Sequence, residues 1–413
     1  MHSADWHLGK PLGDLSRAEE HEKFLAFLLA SIKNYEVDVL LVAGDVFDSA
    51  HPPQSAVAQY FDFISKLHAE TNCVMVVTSG NHDSPAHLDA PKEVLAALRV
   101  HVVGCLPNKV EDTLVVLPSE DDPQLAIAAM PFLRDRDLRT GGAGLSADAI
   151  QKLLRKGIQK RYAQAAKAGA KWKSKGTGLL AMGHLTVKGG ETSDSERDIH
   201  VGGLGTVGAE IFPSAFDYVA LGHLHRPQAV GNRTEIRYSG SPLPLSFSEA
   251  GDEKEVRILD FADGKLAGDY RLQLPLARRL IQWRLQREEL PFYLTEKKPP
   301  KSELTPWVEV IVEDPLPGEN LYEVVRELAH GRPYEVVRVV GKRPEAGIAP
   351  ALIGEFTTET DADELLRDPK RIFEFKLDDE ESLTETEKNE LRTAFDELLE
   401  IHEERQREDL NAA

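Results

Sequence analysis

Residues 37–48 read Val37-Asp38-Val39-Leu40-Leu41-Val42-Ala43-Gly44-Asp45-Val46-Phe47-Asp48. Seven residues rich in Val and Leu, closed at once by Gly-Asp, have the length and composition of a strand buried on both faces. The pattern returns at Cys73–Thr78 (CVMVVT), which runs into Gly80-Asn81-His82-Asp83. Between and before these runs the apolar period changes. Residues 19–35 put Phe24, Phe27, Leu28 and Ile32 on one helical face, and residues 53–69 do the same with Val57, Tyr60, Ile64 and Leu67. Strands alternating with helices predict an α/β domain with helices packed over a sheet. Further strands are expected at 125–129, 179–182, 218–221 and 235–239, and a helix at 146–168.

After Pro275 the texture changes. Residues 296–306 are rich in Lys and Pro and read as a loop. A strand at 307–312, a helix at 320–329 and a strand at 334–340 then make a small βαβ unit. Beyond Gly347 the chain is acidic, with helix signals at 362–373 and 385–404. Thr384 and Glu387 form a capping box for the last helix, whose Leu391, Phe395, Leu398 and Leu399 lie on one stripe. The expected domains are therefore 1–275, 276–345 and 346–413.

A hydrophobic fraction of 41% and a charged fraction of 29% over 413 residues suit a globular chain of two or three domains. No apolar run reaches the roughly 20 residues that span a bilayer. The first residues carry neither a basic nor an apolar leader segment, so a cytoplasmic location is expected. Cys73 and Cys105 are isolated and read as buried thiols. The net charge of −20 is unevenly spread: residues 351–413 hold 21 acidic and 8 basic residues, which is −13 and leaves −7 for the rest. Residues 151–180 run against that trend, with nine Lys or Arg and no acid.

Five short motifs each place polar residues where an apolar strand ends: Asp5-Trp6-His7, Gly44-Asp45 with Asp48, Gly80-Asn81-His82-Asp83, Gly183-His184, and Gly222-His223-Leu224-His225. Loops at the strand ends of an open α/β sheet converge on one crevice, so the five can share a pocket. Carboxylates, an amide and imidazoles without a thiolate suit Mn²⁺, Mg²⁺ or Fe²⁺ better than a structural zinc. There are enough ligands for two ions if one carboxylate bridges. Two ions about 3.5–4 Å apart can acidify water between them and neutralise the oxygens of an in-line phosphoryl displacement.

In this order and spacing the motifs resemble the calcineurin-like metallophosphoesterase superfamily. Within it, the text around them (SADWHLGK, LLVAGDVFD, GNHDS, GHLTV, ALGHLHRPQ) resembles the SbcD family of bacterial double-strand-break repair nucleases. Pro131–Arg134, Arg197-Asp198-Ile199 and Tyr238–Phe247 extend the resemblance across the first 275 residues. It implies a four-layer sandwich of two sheets flanked by helices, with a small α+β capping domain and a helical tail. It also implies one ion held by Asp5, His7, Asp45 and His225, and a second by Asp45, Asn81, His184 and His223. His82 would stabilise the transition state or protonate the leaving 3′ oxygen, with Asp48 supporting. The implied cofactor is two divalent ions, Mn²⁺ foremost. The implied substrate is DNA, cut as an exonuclease (3′–5′) on double-stranded ends and as an endonuclease on single strands or hairpins. The implied partners are an SbcC-type ABC ATPase with long coiled coils, docked by the tail, and a second copy of this chain within a heterotetramer. The copies would meet through helices near 53–69 and 86–98, where Leu88, Val94, Leu95 and Leu98 are apolar. No membrane is implied.

Two rival readings use the same metals: a small-molecule phosphodiesterase or protein phosphatase, and a non-catalytic scaffold. The basic run 151–180 reads either as a solvated helix face or as a DNA contact, and Tyr162 and Trp172 within it either stack on bases or pack. With four residues before Asp5, a short first strand is expected, and a weaker anchor for Asp5 and His7 with it.

Overall fold

The computed structural model describes residues 1–138, 145–193, 195–196, 206–316 and 319–342, and beyond these 373, 377, 384, 388–389 and 391–395. The chain divides into two compact units, Met1–Lys342 and Arg343–Ala413.

Two six-stranded sheets make the body of the first unit. The first contains β1 (His2–Ser3), β2 (Val39–Ala43), β3 (Val74–Thr78), β4 (Val100–Val103), β11 (Glu255–Ala262) and β12 (Lys265–Gln273), in the spatial order β12-β11-β1-β2-β3-β4. The second contains β5 (Leu114–Pro118), β6 (Pro123–Ala128), β7 (Gly178–His184), β8 (Tyr218–Gly222), β9 (Gln228–Val230) and β10 (Arg233–Tyr238), in the order β5-β6-β7-β8-β10-β9. Strands β1 to β4 run parallel to one another, as do β6, β7, β8 and β10.

The two-sided burial expected of the apolar runs follows the period of a strand. In β2, Leu40 and Val42 pack outward beneath α1 (Ala18–Asn34) and α2 (Gln54–Glu70), while Leu41 and Ala43 face the other sheet. In β7, Leu180 and Met182 face inward, and Leu179 and Ala181 face α6 (Ala147–Lys173). Tyr218 and Ala220 of β8 join the inner layer and Val219 and Leu221 the outer one. The result is helix, sheet, sheet, helix, the expected four layers. Short helices α3 (Pro85–Asp89), α4 (Lys92–Ala97) and α5 (Asp135–Leu138) complete the body. Among the described residues no helix is long and apolar enough to cross a membrane.

Several expectations need correction. The hairpin β11–β12 did not stand out in the sequence; its turn is marked by Asp263 and Gly264, both at positive φ. The small unit carries three parallel strands rather than two: β13 (Leu280–Gln286), α7 (Leu290–Glu296), β14 (Trp307–Glu313), α8 (Leu321–Leu328) and β15 (Glu335–Lys342). Alternation hid β13, because Trp283 and Leu285 face the core of this unit while Gln282 and Arg284 pair with acids of β14. Of the two readings of Tyr162 and Trp172 the structure takes packing, since both are buried in the second sheet's outer core. Of the four apolar residues named near 86–98, Leu88 and Leu95 belong to the first sheet's core, Leu98 packs against it and Val94 is exposed. Cys73 is buried but Cys105 is exposed. Most of the helices expected at 362–373 and at 385–404, with Leu398 and Leu399, lies outside the described residues, as does Arg197-Asp198-Ile199.

Leu180 is 1% exposed and sits between the two sheets. Leu180→Ala is expected to lower stability by about 2–5 kcal/mol, read from the urea midpoint, by leaving a cavity where two flat faces cannot collapse.

Candidate metal centre

Asp5 and His7 follow β1, Asp45 follows β2, and Asn81 and His82 follow β3; His184 ends β7, and His223 and His225 follow β8. The parallel neighbours β1, β2 and β3 deliver their loops to one edge of the first sheet, and β7 and β8 to one edge of the second. Stacking the sheets makes the two edges one crevice, so all eight sequence-predicted residues are brought together.

The backbone there is strained. Asp5 (φ 52°), His7 (φ 46°), Asp45 (φ 49°) and His223 (φ 102°) occupy left-handed conformations that cost a non-glycine residue roughly 1–3 kcal/mol each. Hydrogen bonds offset that cost. Asp5 N donates to Gly44 O (3.1 Å) and His7 N to Asp45 O (3.0 Å), which holds this loop although β1 spans two residues. His223 N donates to Asp5 Oδ1 (2.8 Å) and His82 N to Asp45 Oδ1 (2.9 Å). The glycines permit the close approach. A Cβ on Gly44 would lie 2.1 Å from His184 Nδ1, and one on Gly80 would lie 2.1 Å from Asp45 Oδ1.

Three groups of side chains bring a donor atom from each member within 4.8 Å of the others: Asp5, His7 and His225; Asp5, Asp45 and His184; and His7, Asp48 and His82. Asp45 Oδ2 lies between the halves, 3.5 Å from His7 Nε2 and 3.3 Å from His184 Nε2. Asn81 Oδ1 is 2.9 Å from His184 Nε2, and the His223 ring lies 5.4 Å from that of His184.

Acceptors behind the rings set the tautomers. A carbonyl only accepts, so His184 Nδ1 donates to Ala43 O (3.0 Å) and His82 Nδ1 to Asp48 O (2.7 Å). His7 Nδ1 donates to Asp48 Oδ1 (3.1 Å), which also receives Lys10 Nζ (2.9 Å). His225 Nδ1 faces Ser195 Oγ (2.5 Å) and Glu249 Oε1 (3.4 Å). In each case Nδ1 is engaged by its support, and Nε2 of His7 and of His184 is turned to Asp45 Oδ2. Burial alone would raise the Glu249 carboxyl, but the His225 hydrogen bond and the Lys254 ammonium, 2.6 Å from Oε2, hold it well below the usual range.

Sequence reasoning missed most of these supports. Asp48 stands inside the second motif, but no spacing connects Glu249 or Ser195 with His225. Asp83 is a third case. Its carboxylate accepts from Val46 N (3.1 Å), Phe47 N (2.9 Å) and Gly80 N (2.9 Å), tying the second motif to the third.

The donor set fits divalent cations. Asp5 Oδ2 and His7 Nε2 are buried in the first group without a hydrogen-bond partner, and such atoms are costly unless something charged meets them. Burial pushes Asp5 up to about 7. Burial works against a charge on His184, yet the Asp45 carboxylate beside it raises that imidazole to about 9. This crowd of buried acids therefore draws positive charge into itself.

Residues 1–227 match the family model described as calcineurin-like phosphoesterase, and residues 277–381 match one described as type 5 capsule protein repressor C-terminal domain. The chain is 35% identical over 350 residues to the D subunit of nuclease SbcCD from Escherichia coli K12, covering 84% of this chain and 85% of that one. It is 41% identical over 276 residues to the protein of the same name from Rhodobacter capsulatus (64% and 66%), and 37% over 285 residues to that of Bacillus subtilis (69% and 71%). The chain belongs to the SbcD family of calcineurin-like phosphoesterases. Members of this family are nucleases, and the reaction assigned to the pocket is phosphodiester hydrolysis with divalent metals.

Asp48→Ala removes the acceptor behind His7 but keeps the carbonyl behind His82. Divalent-cation affinity, measured by titration calorimetry, is expected to fall about 10- to 100-fold.

Proposed function

We propose that the chain is a Mn²⁺-dependent DNA nuclease, an exonuclease (3′–5′) on double-stranded ends and an endonuclease on single strands and hairpins. It would work with an SbcC-type ABC ATPase in DNA repair and recombination, in the cytoplasm, as a homodimer within a heterotetramer. The relatives' name, which makes each of them one component of SbcCD, supports the partner, and the two-unit division at Lys342 leaves residues 346–413 as the segment proposed to bind it. Residues 1–275 would form the nuclease domain and 276–345 the capping domain.

Asp5, His7, Asp45 and His225 would hold one ion, and Asp45, Asn81, His184 and His223 the other. The observation that carries this assignment is the position of Asp45 Oδ2 between His7 Nε2 and His184 Nε2, with Asp5 Oδ2 and His7 Nε2 buried and unpartnered beside it. Bound there, divalent ions supply positive charge against the phosphate oxygens and acidify the attacking water.

The protein's own part is positioning and proton transfer. Asp45 Oδ1 receives the His82 backbone N–H and Asp48 O receives the ring's Nδ1–H, so backbone and ring are each held and the proton for transfer would be carried on Nε2. The ring centroid lies 4.7 Å from that of His7, at the edge of the metal cluster. His82 would then protonate a leaving 3′ oxygen, a poor leaving group that needs the proton. Burial of the ligand rings keeps bulk water from competing for the donors.

A single set of assays tests this. With Mn²⁺, purified protein is expected to cut hairpin and linear duplex DNA. His82→Ala should slow DNA cleavage about 10²- to 10⁴-fold, yet slow hydrolysis of bis(p-nitrophenyl) phosphate far less, because nitrophenolate departs without a proton. Equal losses on both substrates would remove the acid role. Hydrolysis of the small diester without DNA cleavage would favour a small-molecule phosphodiesterase.

A further inference from the structure

No acidic residue occurs between Asp148 and Glu191 in a chain that carries 69 of them. Within that stretch α6 runs for 27 residues, and its faces are sharply divided. Leu154, Ile158, Tyr162, Ala165 and Ala166 are buried against the second sheet. Lys152, Lys156, Lys160, Lys167 and Lys171, spaced by four or by seven, form an exposed stripe on the opposite face, with Arg155 beside it. Two neighbouring cations have structural work: Arg161 donates to Asp137 O (2.7 Å), and Lys173 pairs with Asp217 (2.7 Å). Among the described residues the six stripe residues have no acidic partner, whereas Arg226, Arg233 and Arg257 each have one. Six like charges held along one rigid helix repel one another, an arrangement that favours a polyanion.

The helix is also aimed. Tyr162 OH donates to Met182 O (3.2 Å), two residues before His184. Gly169 packs on Leu179, near the opposite end of β7. The helix therefore runs antiparallel to β7, and residues before Tyr162 lie toward the strand end that carries His184. At 1.5 Å per residue, Lys152 to Lys160 extend along about 12 Å on that side. A duplex presents a phosphate charge for each ~1.7 Å of its axis, so each of these side chains has an anion within reach. With Tyr162 and Trp172 buried, the surface offers charge and no stacking platform.

We propose that Lys152, Arg155, Lys156 and Lys160 form a docking surface for the phosphodiester backbone of duplex DNA leading into the metal centre. The proposal rests on the nuclease reading above. It gives the protein a sequence-independent, salt-sensitive grip of its own, separate from the residues that do the chemistry.

The test uses the full chain with Lys152→Gln, Arg155→Gln, Lys156→Gln and Lys160→Gln combined, and a second variant with the three lysines changed to Arg. Affinity for a fluorescein-labelled duplex is measured by anisotropy over a range of salt concentrations. The Gln variant should bind more weakly, and its plot of log affinity against log salt should be shallower by about 0.9 for each phosphate no longer neutralised. The Arg variant should retain wild-type affinity and slope. Hydrolysis of bis(p-nitrophenyl) phosphate reports that the fold and metal centre are intact. A Gln variant that is active on the diester, binds duplex with wild-type affinity and keeps the wild-type slope overturns the docking surface and leaves the nuclease reading standing. A wild-type protein that hydrolyses the diester but neither binds nor cuts duplex overturns the nuclease reading, and this surface with it.

Discussion

The pocket depends on how closely two sheets approach at one edge. His184, at the end of β7, donates to Ala43 O at the end of β2, a 3.0 Å hydrogen bond that spans the sandwich. Space for it exists because Gly44 and Gly222 lack a Cβ; one on Gly222 would lie 1.9 Å from Ala43 O. Everything functional is arranged about that seam. Asp45 follows Ala43 by two residues, His223 follows Gly222, and Asp5 Oδ1 receives His223 N across the same gap. The left-handed turns at Asp5, Asp45 and His223 persist because hydrogen bonds from both sheets hold them.

Much of this was legible in the sequence because strands buried on both faces are written as unbroken apolar runs. VDVLLVA and CVMVVT could be read alone, and each motif's place at a strand end followed from the residue after the run. The crevice was legible for the same reason: Asp45, Asn81, His184 and His223 each follow a glycine where an apolar run ends. What escaped reading has two causes. Strands with one wet face, such as β13 and β12, alternate with polar residues and look like surface. Supports such as Glu249, Ser195 and Asp83 act through backbone amides or ring nitrogens far away in the chain, and distance in three dimensions leaves no mark in local spacing. Tyr162 and Trp172 were readable either way, as stacking or as packing residues, and the helix decides it: both positions lie on the face turned to the core.

Charge is distributed by function rather than by composition. The −20 of the whole chain describes neither the pocket nor α6. In the pocket, acids and imidazoles are packed away from bulk solvent, and the resulting demand for cations is local and strong. On α6, cations stand without acids in a protein otherwise rich in them. Among the described residues these two imbalances have opposite sign, acids and imidazoles without cations in the pocket and cations without acids on α6.

The pairing of β1 with β11 has a consequence for how the protein comes into being. His2 is hydrogen-bonded beside Arg257, so the first sheet is finished only by a hairpin that lies after the whole second sheet in the chain. During synthesis, a ribosome that has delivered residues through β4 has made Asp5, His7, Asp45, Asn81 and His82, but none of His184, His223 and His225. Contacts this distant in sequence form late. A partly made chain thus holds half a ligand set on an unfinished sheet, and hydrolytic competence arrives as a property of the completed sandwich.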